Sequence, residues 1–271
     1  MLKDITLGQY YPADSVVHRI DPRIKIISLI FIIIAVFISK TPIAFGIGVV
    51  FNLALVFASK IRLRTVFKAI KPVLILIIFT AIINIFLTKG EPLFKYKFIV
   101  ITKEGIYSAL LMAIRIILLV SYTSLLTFTT SPIRLTDGIE SLLKPFSKIG
   151  LPAHELAMMM TIALRFIPTL LEETDRIMKA QTARGADFSS GNLIERAKNM
   201  LPLLVPLFVS AFRRAEELAI AMESRCYRGG EGRTRMHELS YKSIDYTAFA
   251  AVIFLAVGLA VLRWGAGLCA L

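Results

Sequence analysis

Asp175-Arg176-Ile177-Met178-Lys179-Ala180-Gln181-Thr182-Ala183-Arg184-Gly185 can be set above Glu216-Glu217-Leu218-Ala219-Ile220-Ala221-Met222-Glu223-Ser224-Arg225-Cys226 with an acid, a branched apolar residue, an alanine and an arginine in register. Ile177, Ala180 and Arg184 are three and four apart, as are Leu218, Ala221 and Arg225. That spacing puts each set on one helical face with the arginine last. A proline-punctuated apolar run precedes each copy (Ile167-Pro168 and Val205-Pro206), and glycine or small residues follow, as at a helix end. The reading is two long helices, each presenting a terminal arginine like a peg for a partner. A cation near a helix C-terminus is routine, worth about 0.3–1 kcal/mol against the dipole. One copy would carry no more than that; the repeat points to docking, because a planar guanidinium suits a groove lined by carboxylates or helix-end carbonyls. Small neighbours, Ala183, Gly185, Ser224 and Cys226, would let such a groove close around it.

The rest of the chain is too apolar for water. Of 271 residues 56% are hydrophobic, and the mean hydropathy is +0.71. Soluble domains run at about 45–50% apolar with glycine included. The formal charge of +13 would suggest nucleic acid in a soluble protein. Here the cations border apolar runs, so a membrane surface and the positive-inside rule account for them and nucleic acid is not an expected partner. Cys226 and Cys269 lie far apart, which argues against a disulfide framework.

In chain order, residues 1–23 are polar and lack the form of a cleaved signal peptide. Asp21-Pro22 reads as a cap followed by a first-turn proline. Apolar runs follow at 24–38, 43–59, 72–87, 105–130 and 244–262, with Lys40-Thr41-Pro42 breaking the first pair. The first two reach the ~20 residues that cross a ~30 Å core only with their flanks. A basic, acid-free connector (Lys60, Arg62, Arg64, Lys68, Lys71) separates the second and third, and a small β-turn unit is expected around 96–101. Between Ser131 and Ser243 the composition shifts: sixteen of the 32 basic residues and 13 of the 19 acids fall there. Leu135 to Phe146 reads as an amphipathic helix. Two long helices follow, to about Arg184 and from about Leu193 to Arg228. The stretches 152–171 and 200–212 are ambiguous as spans; both are placed at or below the membrane surface so that the two arginines share one side. Arg263-Trp264 reads as an interface anchor.

The fold expectation is an all-α integral membrane protein with about five transmembrane helices, an amphipathic helix and two long coupling helices. The domains are 1–130, 131–243 and 244–271. Counting cations puts the N-terminus and the coupling helices in the cytoplasm. No P-loop, H-E-x-x-H pattern, cysteine pair at metal-ligand spacing or G-x-S-x-G elbow is present, so neither catalysis nor a metal or cofactor site has support. His18, His154 and His237 read as surface or interface residues. Arg115, deep in its run, should either link to Asn84, Asp245 or a backbone carbonyl, or face a polar interior. Arg165 is expected to bond a carbonyl freed by Pro168. Met158, Met159 and Met160 offer either ordinary packing or a pliable surface.

Together, Ser15–Lys25 (S-V-V-H-R-I-D-P-R-I-K), Ala163–Leu170 (A-L-R-F-I-P-T-L), Ala180–Gly185 (A-Q-T-A-R-G) and Ala221–Tyr227 (A-M-E-S-R-C-Y) resemble the transmembrane coupling component of energy-coupling factor transporters, the EcfT proteins related to CbiQ of cobalt uptake. The family's two X-Arg-X motifs fall on Ala183-Arg184-Gly185 and Ser224-Arg225-Cys226, the second departing from the usual Ala-Arg-Gly. The resemblance implies a multi-pass subunit of a prokaryotic plasma-membrane importer for a vitamin, cobalt or nickel, not itself an enzyme. It implies that the motifs dock into two ABC-type ATPase subunits, and that the coupling helices cradle a small membrane-embedded substrate-binding subunit. Met158, Met159, Leu201, Leu204 and Phe208 are the candidate contacts to that subunit. The rival is a self-sufficient secondary transporter or channel with Arg115 and Arg165 in its pathway, which would call for span symmetry that the sequence lacks.

Overall fold

The computed structural model describes residues 10–88, 90–96, 99–150, 152–188, 192–229 and 239–268. His237 and Cys269 lie outside them, and the side chain of Trp264 is likewise not described. Helices dominate: α1 Val16–Arg19, α2 Pro22–Ile38, α3 Pro42–Ala58, α4 Leu63–Ile70 and α5 Leu74–Leu87, the last two joined by a 3-10 turn at Lys71–Val73. A hairpin of β1 Pro92–Tyr96 and β2 Ile99–Thr102 pairs antiparallel, Tyr96 opposite Ile99, where the β-turn unit was expected. Then come α6 Lys103–Thr129, α7 Pro132–Leu143, a 3-10 turn Lys144–Ile149, α8 Ala153–Ala183, α9 Leu193–Ser224 and α10 Ser243–Leu268. Among the described residues the chain divides into two compact units, one of residues 10–138 with 239–268 and one of residues 139–229.

The larger unit is a helical bundle. Asp21 caps α2 by accepting a hydrogen bond from the Arg23 N–H at 2.9 Å, and Pro22 occupies the first turn where its missing N–H costs nothing. α2 stops at Ser39, and Pro42 opens α3. The core joins α2 (Ile32, Ala35, Val36), α3 (Ala44, Phe45), α6 (Leu118, Tyr122) and α10 (Val252, Leu255, Leu259). A second cluster, Val56, Ile61, Val66, Leu125 and Phe128, ties the end of α3 and α4 to the end of α6. The run from α4 to α5 lies antiparallel along α6: Val66 meets Leu125 and Phe128 at one end, and Gly105 backs onto the Asn84 and Ile85 carbonyls at the other.

Several polar groups inside the bundle have hydrogen-bond partners, while the Thr41 hydroxyl, Asn52 Nδ2 and the Nε atoms of Arg23 and Arg115 are buried without one among the described residues. The Ser121 hydroxyl donates to Asn52 Oδ1 at 2.8 Å and the Tyr122 hydroxyl to the Gly48 carbonyl at 2.9 Å. Asp245, 1% exposed, accepts the backbone N–H groups of Asp21 and Lys242, both at 2.7 Å, fastening the start of α2 to the start of α10. Lys25 donates to the Thr129 carbonyl and the Thr130 hydroxyl at 2.9 and 3.0 Å, closing the C-terminal end of α6. Residues 10–20 form a strap over that end: the Tyr11 N–H donates to the Phe128 carbonyl, and His18 is buried among Ser15, Tyr11 and Tyr10. The surface or interface position expected for His18 is thus corrected, because this strap buries the ring within the fold.

Arg115 is a structural link. Its Nη2 donates to the Ser39 carbonyl at 2.7 Å, and Arg263 Nη1 reaches the neighbouring Ile38 carbonyl at 3.3 Å. Two cations therefore sit at the C-terminal, electronegative end of α2. The arginine looks deep by counting along its own run, but α6 has 27 residues against 17 in α2. At 1.5 Å per residue it is roughly 15 Å longer, so a residue halfway along α6 lies level with the end of α2. Asn84, the other intramembrane polar candidate, bonds within its own helix, Nδ2 to the Thr80 carbonyl at 2.8 Å.

Among the described residues four helical runs are long and apolar enough to cross a membrane: Leu63–Leu87, Lys103–Thr129, Ala153–Ala183 and Ser243–Arg263, with α3 a shorter apolar helix of 17 residues. This is an all-α membrane architecture carrying one short hairpin. α8 is the least apolar of the four.

Candidate functional site

The second unit is built on α8 and α9, 31 and 32 residues long, or roughly 45–50 Å each at 1.5 Å per residue. The two helices pack on each other along part of their length. Their junction is polar: Glu173 on α8 accepts from the Ser210 hydroxyl at 2.5 Å and from Arg214 Nη2 at 2.6 Å, both on α9. Pro168 lies inside α8, and Pro202 and Pro206 inside α9. His154, near the start of α8, bonds Glu140 at 3.0 Å. Arg165 is exposed and has no hydrogen bond among the described residues, which corrects its expected role at Pro168. A proline at 168 frees the carbonyl of residue 164, and the exposed Arg165 side chain does not turn back to take it.

Both helices end in the same motif. In α8 the Ala186 N–H donates to the Gln181 carbonyl and the Gly185 N–H to the Thr182 carbonyl, each at 3.0 Å, with Gly185 at φ +90°. In α9 the Tyr227 N–H donates to Met222 at 3.0 Å and the Cys226 N–H to Glu223 at 2.8 Å, with Cys226 at φ +54°. This paired six-to-one and five-to-two closure is the Schellman motif. It places Arg184 and Arg225 at the identical position, the last residue before the left-handed one. The match is thus one of backbone geometry as well as of sequence. Each closure satisfies carbonyls that a bare helix end would leave open.

Ala183, Arg184, Gly185, Ser224, Arg225 and Cys226 are all exposed. Neither arginine has an ion pair or side-chain hydrogen bond among the described residues, whereas Arg214 is committed to Glu173. Beside the second tip, Ala219, Met222, Glu223, Cys226, Tyr227 and Arg228 line a hollow of about 500 Å³. The second helix ends at Ser224 rather than near Arg228, and the reason is Cys226. A non-glycine residue takes the left-handed conformation at a cost of about 1 kcal/mol or more, and the only cue to it in the sequence is the register that sets Cys226 beneath Gly185. Cys226 is a free thiol.

Met159, Leu201, Leu204 and Phe208 are exposed, Phe208 by 62%, and Met158 is half-buried. Val205, Val209 and Phe212 extend that apolar surface along α9, and Phe208 stacks on Phe212. Val205, Val209 and Phe212 are not among the candidate contacts read from sequence; their i+4 and i+8 relation to Leu201, Leu204 and Phe208 is the available signal. Among the described residues no group of three or more His, Cys, Asp or Glu could hold a metal ion.

The chain matches the cobalt transport protein family, CbiQ, over residues 13–237. It belongs to that family. Its relatives include proteins named energy-coupling factor transporter transmembrane protein EcfT. That of Acidaminococcus fermentans is 59% identical over 265 residues, 98% of this chain and 99% of the relative. Those of Clostridium kluyveri and Thermosediminibacter oceani are 56% and 54% identical over 269 and 257 residues, covering 98% and 95% of this chain and 100% and 97% of theirs. Membership makes this a multi-pass transport protein of the membrane, and the family's members are transporter subunits rather than catalytic enzymes.

Proposed function

We propose that this chain is the transmembrane subunit of an energy-coupling factor importer, joining two ATPase subunits to a small membrane-embedded subunit that binds a vitamin or a transition-metal ion. The observation that carries the reading is the twin helix ending: two exposed, uncommitted guanidiniums at the same position of the same motif, in one compact unit. One docking chemistry used twice fits a pair of like ATPases, one per tip. The names of the relatives support the same assignment.

In this reading residues 131–243 are the coupling region and lie in the cytoplasm with the N-terminus, while 1–130 and 244–271 hold the spans. α8 is a surface helix, consistent with its low hydropathy and with Glu172, Glu173 and Asp175 in its second half. The exposed apolar surface at Met158, Met159, Leu201, Leu204 and Phe208 takes the substrate-binding subunit. An ATPase pair that closes and opens displaces the two tips. Helices conduct that displacement because their backbone bonds are internally satisfied, and the Glu173 clasp keeps α8 and α9 moving against each other at a fixed point. ATP hydrolysis belongs to the partner chains.

The test is co-purification. R184E with R225E reverses the charge at both tips while leaving the left-handed residues in place. We expect loss of both ATPases from the purified complex, by at least tenfold, with membrane insertion and yield of this chain retained. Full recovery of the complex, or substrate uptake by this chain alone in liposomes, would overturn the reading and return the secondary-transporter alternative.

A further inference from the structure

Between Asp21 and Glu91 the chain contains no acidic residue, and five of the cations in that interval fall within twelve positions: Lys60, Arg62, Arg64, Lys68 and Lys71. All five are exposed, and none has an ion pair among the described residues. Arg64, Lys68 and Lys71 are four and three apart on the α4 run, so they form one stripe. Leu63 and Phe67 form the neighbouring row and are also exposed, Phe67 by 67%. The opposite side of α4 is spoken for: Val66, with Ile61 just before the helix, is buried against Leu125 and Phe128. Immediately after Lys71 the charges stop. From Pro72 to Thr88 there is none, and α5 exposes Leu74, Ile75, Leu76, Ile78 and Phe79.

We propose that residues 60–71 form a binding collar for the phosphate groups of anionic phospholipids. The position decides between a lipid and an acidic protein as the occupant. The stripe abuts a helix whose exposed residues are all apolar, and this is the level at which headgroup phosphates lie against a spanning helix. Exposed Leu63 and Phe67 at the same level suit the acyl boundary, with the cationic heads reaching the phosphates on their stems. Lys60 adds a second kind of evidence. It ends α3 in the left-handed conformation at φ +56°, where glycine would fit without strain, yet carries a cation. The collar anchors the α3–α5 corner to one leaflet, independently of any ATPase or substrate-binding partner.

The experiment uses the purified full chain and native mass spectrometry with phosphatidylglycerol and phosphatidylcholine of matched acyl chains. At 0.15 M salt (about an 8 Å screening length) the wild type is expected to retain phosphatidylglycerol at least tenfold over phosphatidylcholine. R64Q/K68Q/K71Q should bring the ratio within about twofold of unity. R64K/K68R/K71R should keep it, as should K144Q/K148Q/K198Q, which removes equal charge elsewhere. If the glutamine triple fails to fold, the wild-type ratio, a higher melting midpoint in phosphatidylglycerol than in phosphatidylcholine and retention by the Lys/Arg-exchanged triple still carry the test. Equal retention of both lipids by the wild type would overturn the collar and favour an acidic protein occupant. A ratio surviving R64Q/K68Q/K71Q, or lost equally in K144Q/K148Q/K198Q, would overturn it too, the latter reducing the effect to net charge.

Discussion

The bundle of residues 10–138 and 239–268 is the more apolar of the two units and buries a core that the more charged helix pair of residues 139–229 lacks. In the bundle, apolar residues from four helices are buried against each other, and polar groups such as Asp245, Ser121 and Tyr122 are buried with their hydrogen bonds made. In the helix pair only Ala153, Ala157 and Leu203 are buried among the described residues, while Leu201, Leu204, Val205, Phe208, Val209 and Phe212 stay exposed. Between spanning helices, packing and hydrogen bonds hold the fold, because lipid is as apolar as a leucine side chain. The bundle packs part of its apolar surface internally and exposes the rest, as at Ile75, Phe79 and Phe254, whereas the pair packs little within itself. One unit is a frame and the other a surface, and each substitution below separates the two.

The largest effect belongs to Asp245. Its two carboxylate oxygens each take a backbone N–H at 2.7 Å, so D245A strands two buried donors at about 1–3 kcal/mol apiece. We expect the folded yield in detergent to fall severely, and D245N, which keeps one acceptor oxygen, to fall between. E173A in the helix pair removes a comparable carboxylate that is 23% exposed and faces an arginine 37% exposed. Such a pair contributes about 0–1 kcal/mol, so its melting midpoint should move little. Equal losses for D245A and E173A would erase the distinction between frame and surface.

Those parts of the fold fixed by local chemistry could be read from the chain, and those fixed by distant neighbours could not. Asp21-Pro22 and Lys40-Thr41-Pro42 mark boundaries through backbone restrictions that need no tertiary context, and the structure starts α2 at Pro22 and α3 at Pro42. Ala183-Arg184-Gly185 announces its own ending because glycine reaches the left-handed region freely. Ser224-Arg225-Cys226 does not, and the helix read from sequence overran to Arg228. His18 was misplaced at the surface because its partners include a carbonyl seven residues away and a strap folded over α6. Arg115 carried the signal of a buried cation, but its acceptor, Ser39, is 76 positions distant. Depth counted along α6 alone could not reveal that its neighbour is shorter.

The two helix ends offer a smaller and sharper comparison inside the exposed unit. Gly185 and Cys226 occupy the same left-handed position at φ +90° and +54°. G185A should destabilise the end of α8 by about 1 kcal/mol, and C226G should stabilise the end of α9 by about as much. Hydrogen exchange of the closing amides, Ala186 and Tyr227, reads each end separately. At RT of about 0.6 kcal/mol, 1 kcal/mol is roughly fivefold in rate, faster at Ala186 in G185A and slower at Tyr227 in C226G. Melting of the bundle should not change. If C226G instead speeds exchange, the cysteine side chain is contributing packing in the adjoining hollow that outweighs its backbone strain.

The smallest effect is expected at His18, inside the frame. The Tyr11 carbonyl can only accept, so Nε2 carries the proton and donates to it at 3.0 Å, leaving Nδ1 to accept from the Ser15 hydroxyl at 2.7 Å. Burial holds the imidazole below its ordinary value of 6.5, the Tyr11 hydrogen bond opposes that, Lys25 adds to it, and Asp14 and the Phe128 carbonyl act against it. A base whose folded pKa is depressed binds fewer protons folded than unfolded between the two values. Its contribution to stability is therefore complete above pH 6.5 and is lost as the pH falls below 6.5 through the folded value. H18Q can still donate to Tyr11 but does not titrate. The wild-type melting midpoint of the bundle should thus fall relative to H18Q as the pH is lowered from 7.5 to 5, and exchange at Ala186 and Tyr227 should show no such pH-linked difference between the two proteins. A constant gap between wild type and H18Q across that range would mean that the strap does not hold His18 neutral.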